Sequence, residues 1–141
     1  MKEKRDLILY RLSRAHETLE EADILLQVGH GNAFVNRLYY ACFYVVSALL
    51  LSKGFSSAKH TGVRALFNRN FVNRGLVSSE LGKFYDMLFR NRQRGDYADM
   101  VHYEPDEVRG WYASAEEFIR VNEELTFKEL QRENDESSGV D

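Results

Sequence analysis

A run of apolar residues at positions 38–51, interrupted only by Ser47, most constrains the fold of this chain. The run is shorter than the roughly 20 residues that a membrane-crossing helix needs. Its length suits a helix that is apolar on nearly all sides, which we predict from about residue 32 to residue 53. Such a helix lies either at the centre of a helical bundle, or at the centre while also shared with a second subunit.

Most of the remaining sequence carries apolar residues at three- and four-residue steps, the spacing of helices that bury one face. Most of the nine glycines and the single proline fall at the breaks between these patterns. We therefore predict one all-α domain over residues 1–130, an up-and-down bundle of about five helices at residues 3–27, 32–53, 61–73, 79–94 and from 105 onward. The polar, acidic residues 131–141 are expected to form a disordered tail.

Composition narrows the range of functions. The formal net charge of -3 argues against a protein that binds nucleic acid or a membrane over its whole surface, so any nucleic-acid site must be a local patch. The only cysteine, Cys42, lies in the apolar run and is interpreted as a small buried residue. A chain with one cysteine forms no internal disulfide, which suits the reducing cytoplasm, where we expect this protein.

The best candidate for such a patch is residues 90–97, Arg-Asn-Arg-Gln-Arg-Gly-Asp-Tyr, at the end of the fourth predicted helix. Arg90 and Arg94 share a helix face because they are four residues apart, whereas Arg92 points roughly the other way. One interpretation is a solvated helix end whose cations favour the negative pole of the helix dipole. The other is an anion site, because the planar guanidinium group binds phosphate or carboxylate in bidentate fashion.

Two further polar residues lie in apolar surroundings. Arg37 opens the apolar helix beside several tyrosines, and if buried it needs a carboxylate partner, for which Asp96 is a candidate. His60 stands at the start of the third helix, either bonded to the backbone there or supporting a site. The four histidines are scattered without metal-ligand spacing, and no phosphate-binding glycine loop is present, so we expect neither a metal nor a cofactor.

Four segments together resemble the HEPN domain family, in its branch of small stand-alone proteins. They are Asn-Arg-Leu-Tyr-Tyr-Ala-Cys-Phe at 36–43, Lys-His-Thr-Gly-Val at 59–63, Phe-Val-Asn-Arg-Gly-Leu at 71–76, and residues 92–97. The resemblance covers about residues 5–125. It implies a HEPN-like bundle of about five helices that forms a two-fold homodimer through its long helices.

The resemblance also implies a function. Many HEPN proteins are RNA-cleaving toxins encoded beside a minimal nucleotidyltransferase antitoxin. Their catalytic signature is an arginine, a polar residue, a few further residues and then a histidine, and in toxins paired with such antitoxins a tyrosine follows two positions after the histidine. Arg90 and Asn91 match the first two catalytic positions and Tyr97 matches the tyrosine, which the partner enzyme can adenylylate. Gly95 occupies the histidine position. Glycine cannot transfer a proton, so this departure leaves the ribonuclease activity open.

Other residues do not obviously replace that histidine. Asp96 could accept a proton, but beside three arginines it should stay ionised and be a weak base. His102 lies five residues beyond Tyr97, and its spacing does not direct it to the site.

The sequence thus predicts a cytoplasmic, dimeric, toxin-like protein that binds RNA or a nucleotide and works with a nucleotidyltransferase. The phosphate-binding residues would be Arg37, Arg90, Arg92 and Arg94, with Asp96 and His60 in support. The alternative is a non-enzymatic interaction module, in which the arginines of residues 90–94 pair with acidic groups on a protein partner and the apolar helix serves only the dimer interface.

Overall fold

The computed structural model describes residues 2–94 and 101–138, and these residues form helices without any β-strand. Five helices of at least two turns confirm the predicted all-α bundle, and one single-turn helix is added. The helices are α1 (Lys2–Gln27), α2 (Gly31–Ser52), α3 (His60–Phe67), α4 (Ser79–Arg94), the short α5 (Pro105–Val108) and α6 (Trp111–Ser138).

Helices α1 and α2 form an antiparallel hairpin whose turn is set by a glycine. Gly29 has a φ of +86°, a backbone conformation that L side chains rarely adopt. Its N–H donates to the Leu26 carbonyl at 3.1 Å, and the His30 N–H donates to the Leu25 carbonyl at 2.9 Å. These two bonds satisfy the last carbonyls of α1 and turn the chain back along the helix.

Helix α2 is the centre of the bundle. It packs against α1, α3, α4 and α6, so that both sides of its apolar run are covered by the chain's own helices. Among the described residues, α2 is the one helix long and apolar enough to cross a bilayer, but 67% of its most apolar window is buried. A second subunit is therefore not needed to explain its apolar character. The homodimer remains a prediction that rests on the family resemblance.

The third predicted helix is interrupted. Instead of one helix over residues 61–73, α3 ends at Phe67 and a π-helical segment follows at Asn68–Val72. The side-chain amide of Asn70 donates to the Leu66 carbonyl at 2.9 Å, which is the acceptor that the Asn70 backbone N–H would use in an α-helix. Phe67 and Phe71, on either side of this change of helix type, are both buried in the core.

The last predicted helix also differs from expectation. It is split into α5 and α6, and α6 continues to Ser138, so the tail expected to be disordered from residue 131 is helical over most of its length. Charge pairs explain the extension. Arg132 binds Glu129 and Glu136 on its own helix, and Lys4 of α1 binds Glu133 at 3.0 Å. The two pairs within α6 are three and four residues apart, a spacing that stabilises a helix which composition alone does not favour.

Candidate functional site: an arginine–tyrosine cluster

Arg92, on the last turn of α4, lies against the aromatic side chains of α2. Its guanidinium carbon is 5.4 Å from the ring centroid of Tyr39 and 5.7 Å from that of Tyr40. Its Nε also donates to the Tyr40 hydroxyl at 3.4 Å. Cations at this distance from an aromatic ring are attracted to its electron-rich face. Of the two arginines of this segment whose side chains are described, Arg90 and Arg92, it is therefore Arg92 that the structure joins to α2.

A second arginine contacts the same ring. The guanidinium carbon of Arg37 is 5.2 Å from the centroid of Tyr40, so this half-buried ring has an arginine from α2 and one from α4 beside it. The carboxylate near Arg37 is Glu21 of α1, at 3.4 Å. The sequence suggested Asp96 for that role, but Asp96 lies outside the described residues.

His60, the first residue of α3, completes the group. Its Nδ1 is 2.6 Å from the Tyr39 hydroxyl oxygen, and its ring stacks on Phe43 with centroids 4.2 Å apart. The His60 side chain therefore bonds to a side chain of α2. Burial lowers the pKa of His60, and the nearby charge of Arg92 lowers the pKa further, so the imidazole is neutral at neutral pH.

The Tyr39 hydroxyl stays protonated in this environment. Tyr39 is fully buried, and burial raises the pKa of its phenol to about 12, although the charge of Arg92 acts in the opposite direction. A neutral phenol can donate to His60 Nδ1 or accept from it, depending on which ring nitrogen carries the proton. We call Arg37, Tyr39, Tyr40, His60 and Arg92 the arginine–tyrosine cluster.

A pocket of about 240 Å³ adjoins the cluster, between the start of α2 and the end of α4. Its lining includes the side-chain amides of Asn32, Asn36 and Asn91 and the side chain of Arg92. Val101 and Tyr103, from the segment that precedes α5, complete this part of the lining. We call it the amide pocket. Amides supply both donors and acceptors, so they can bond the edge of a nucleobase or a phosphate oxygen.

The wall of the amide pocket is fixed by the first residues of α2. The Asn32 side chain donates to the Val101 carbonyl at 2.9 Å and accepts from the Tyr103 N–H at 2.8 Å. Gly31 permits this approach, since a Cβ there would lie 1.9 Å from the Tyr103 carbonyl oxygen. The requirement for glycine at this position is therefore steric.

The predicted site residues are divided by the structure. Arg37, Asn91, Arg92 and His60 lie around the cluster and its pocket, whereas Arg90 is exposed. The side chain of Arg94 and residues 95–100, which include Gly95, Asp96 and Tyr97, lie outside the described part of the chain. Within residues 2–94 and 101–138, no group of three or more histidine, cysteine or acidic side chains could hold a metal ion.

Sequence reasoning missed the connections within this site. It placed Arg37 among tyrosines and noted His60, but did not pair His60 with Tyr39 or bring Arg92 onto the tyrosine rings. A partial signal was available, because Arg92 points away from the face shared by Arg90 and Arg94 and hence toward the bundle. No spacing in the sequence indicates that α3 begins beside Tyr39.

The fold and the cluster together define a small helical domain with a local arginine and aromatic site. The sequence matches the model of the HEPN domain over residues 8–125, and the chain belongs to this family. A UPF0332 protein of Thermotoga maritima is 48% identical over 132 residues, which cover 94% of this chain and 99% of that protein.

Two relatives from Methanocaldococcus jannaschii have names that describe them as candidate toxins. One is 30% identical over 97 residues, covering 69% of this chain and 66% of the relative. The other is 34% identical over 96 residues, which cover 68% of this chain and 72% of that relative. The match to the family model confirms the HEPN resemblance seen in the sequence.

Proposed function

We propose that this protein is a toxin-like HEPN component that binds single-stranded RNA at the arginine–tyrosine cluster. The observation that carries the proposal is the pair of guanidinium groups, Arg37 and Arg92, beside the half-buried ring of Tyr40. Single-stranded RNA is recognised by aromatic rings and arginine planes that stack on bases, together with cations that bind phosphates. The cluster holds both kinds of group within one small area of an otherwise acidic protein.

The amide pocket extends this argument to base recognition. Asn32 and Asn36 lie at the start of α2, and Asn91 lies next to Arg92 on α4. A base placed there would meet side-chain amides, while its phosphate would lie near Arg92. An unstacked base in a loop or at a single-stranded end offers its edge for such bonds, whereas a base inside a duplex does not.

Binding of a labelled single-stranded RNA, followed by fluorescence anisotropy at several salt concentrations, tests the proposal. Arg92→Ala should weaken binding by about tenfold or more, because a charged hydrogen bond contributes about 1.5–3 kcal/mol. The slope of log K against log salt should also fall by about 0.7, the value for one phosphate contact on a single strand.

Arg120→Ala is the matched control. It removes the same charge from α6, where Arg120 is bound by Glu117 at 2.7 Å and Glu124 at 2.9 Å, and should leave RNA binding unchanged. Arg90→Ala tests the arginine that the family motif assigns to the catalytic site. If Arg92→Ala binds RNA as tightly as the parent, with the same salt slope, the RNA proposal is wrong and the interaction-module alternative is favoured.

The proposal includes a minimal nucleotidyltransferase partner that silences the toxin by adenylylating Tyr97. This part of the proposal is supported by the family resemblance alone, because Tyr97 lies outside the residues that the structure describes. An added nucleotide would bring negative charge to the arginines of residues 90–94 and compete with RNA phosphate. The protein is incubated with ATP and the nucleotidyltransferase encoded by the neighbouring gene, and its intact mass is then measured. An adenylyl adduct should appear on the parent and be absent from Tyr97→Phe. An adduct of the same size on both would exclude Tyr97 as the target.

A further inference from the structure

We propose that His60 accepts the 2′-hydroxyl proton of bound RNA, so that the arginine–tyrosine cluster cleaves RNA without a histidine in the α4 motif. This inference rests on the proposed RNA binding. His60 belongs to a different helix from the motif, and its ring reaches the same two tyrosines as Arg92.

The orientation of the His60 ring favours this role. One ring nitrogen, Nδ1, is held by the Tyr39 hydroxyl at 2.6 Å, and one face is stacked on Phe43. Among the described residues, Nε2 makes no hydrogen bond, and the ring is only half-buried. Nε2 is therefore the atom that can meet a ligand, while Tyr39 and Phe43 limit how far the ring can turn. A general base needs this combination of a fixed ring and a free nitrogen.

The charges around His60 keep it in the neutral form that a base requires. From α4 it faces the cation Arg92, and from α2 it faces the phenols of Tyr39 and Tyr40. Its own segment contributes two more basic residues, Lys59 and Arg64, of which Arg64 is bound to Asp86 at 3.4 Å. Since none of these groups is a carboxylate in contact with the ring, no negative charge among them stabilises a protonated imidazole before substrate arrives.

The reaction uses the tautomer with the proton on Nδ1, which donates to the Tyr39 oxygen. Nε2 of His60 takes the proton from the ribose 2′-hydroxyl, and the 2′ oxygen attacks the adjacent phosphorus. The new P–O2′ bond forms as the P–O5′ bond breaks, which gives a 2′,3′-cyclic phosphate end and a 5′-hydroxyl end. The proton held by His60 returns through solvent to the 5′ oxygen, so the step consumes no co-reactant. Arg92 stabilises the additional negative charge on the phosphoryl oxygens.

The experiment measures cleavage and binding of the same labelled RNA oligonucleotide by the full chain. The parent should release a fragment ending in a 2′,3′-cyclic phosphate. His60→Gln should cut at least about 100-fold more slowly, the usual contribution of a general base, while its RNA affinity should fall by much less than that, because the phosphate-binding cations Arg37 and Arg92 are retained. His16→Gln is the control, because His16 is exposed and bonded to Glu123 on α6. It should cleave at the parental rate.

A pH profile separates proton transfer from a purely structural role. The rate should rise with pH through the pKa of His60, at a lower pH than for an ordinary imidazole. Tyr39→Phe removes the oxygen that accepts from the imidazolium, so the rising limb should shift to still lower pH. Circular dichroism confirms that each variant is folded.

Three outcomes are decisive. RNA that is bound but left intact by the parent overturns the His60 assignment and leaves the proposed RNA binding in place. Absence of RNA binding by the parent overturns the proposed function itself. Cleavage retained in His60→Gln but lost in His102→Gln would transfer the role to His102, which is exposed and bonded to Glu104 at 2.9 Å.

Discussion

Glu129 of α6 offers a quantitative test of how the bundle is held together. Its side chain is only 5% exposed, and its carboxylate binds Lys53, at the end of α2, at 2.8 Å and also binds Arg132. The hydrogen bond from Arg132 is the main cause that lowers the pKa of Glu129 from 4.5 to about 2. Burial opposes this change, and Lys53 adds to it. The ionised carboxylate therefore stabilises the folded state.

The magnitude follows from this difference in pKa. One pKa unit corresponds to about 1.4 kcal/mol, so the shift from 4.5 to about 2 means that ionised Glu129 contributes about 3–3.5 kcal/mol to the free energy of unfolding at neutral pH. Because the folded pKa is lower than the unfolded one, the contribution is complete above pH 4.5 and is lost as pH falls toward 2. Near pH 2.5 less than about 1 kcal/mol should remain.

Urea unfolding followed by circular dichroism, at several pH values, measures this contribution. Glu129→Gln should lower the free energy of unfolding by about 3–3.5 kcal/mol at pH 7, and the difference from the parent should shrink steadily below pH 4.5. Glu136→Gln is the control, since Glu136 binds the same Arg132 at the surface and should cost less than about 1 kcal/mol. A difference for Glu129→Gln that stays constant from pH 7 to pH 3 would refute the ionised-carboxylate explanation.

Two further predictions concern the wall of the pocket and the assembly. Gly31→Ala should lower the free energy of unfolding by about 1–3 kcal/mol and weaken RNA binding, because the added methyl group would overlap the Tyr103 carbonyl. Gly110→Ala is the control and should be nearly neutral, since there is open space around Gly110. Equal unfolding midpoints for the two variants would contradict this prediction. Light scattering at micromolar concentration should give about twice the chain mass of 16.4 kDa, and a monomer at that concentration would exclude the homodimer.

The location of the cluster bears on how a HEPN protein without the motif histidine can act. Gly95 stands where the family motif has its histidine, and the bundle brings α3 to the same tyrosines that Arg92 contacts. A search for the motif along one helix would not detect the replacement that we propose. Contacts between helices provide the relevant information.

The sequence alone determined the fold class and most helix positions. The buried stripe of α1 is the one that its apolar spacing predicts: Ile8, Leu12, Ala15, Leu19, Ala22 and Leu26. The turn at Gly29 was equally evident, since these signals are local and depend on residues within a few positions of each other. The resemblance of four short segments was sufficient to identify the family.

Only the tertiary structure decided which polar residues meet. Arg92 rather than Arg90 contacts α2, Glu21 is the carboxylate seen beside Arg37 among the described residues, and His60 bonds to Tyr39. These contacts join helices far apart in the sequence, and they depend on the rotation and offset of each helix in the bundle. Periodicity shows which face of a helix is buried, but it does not show which residues of another helix lie opposite that face.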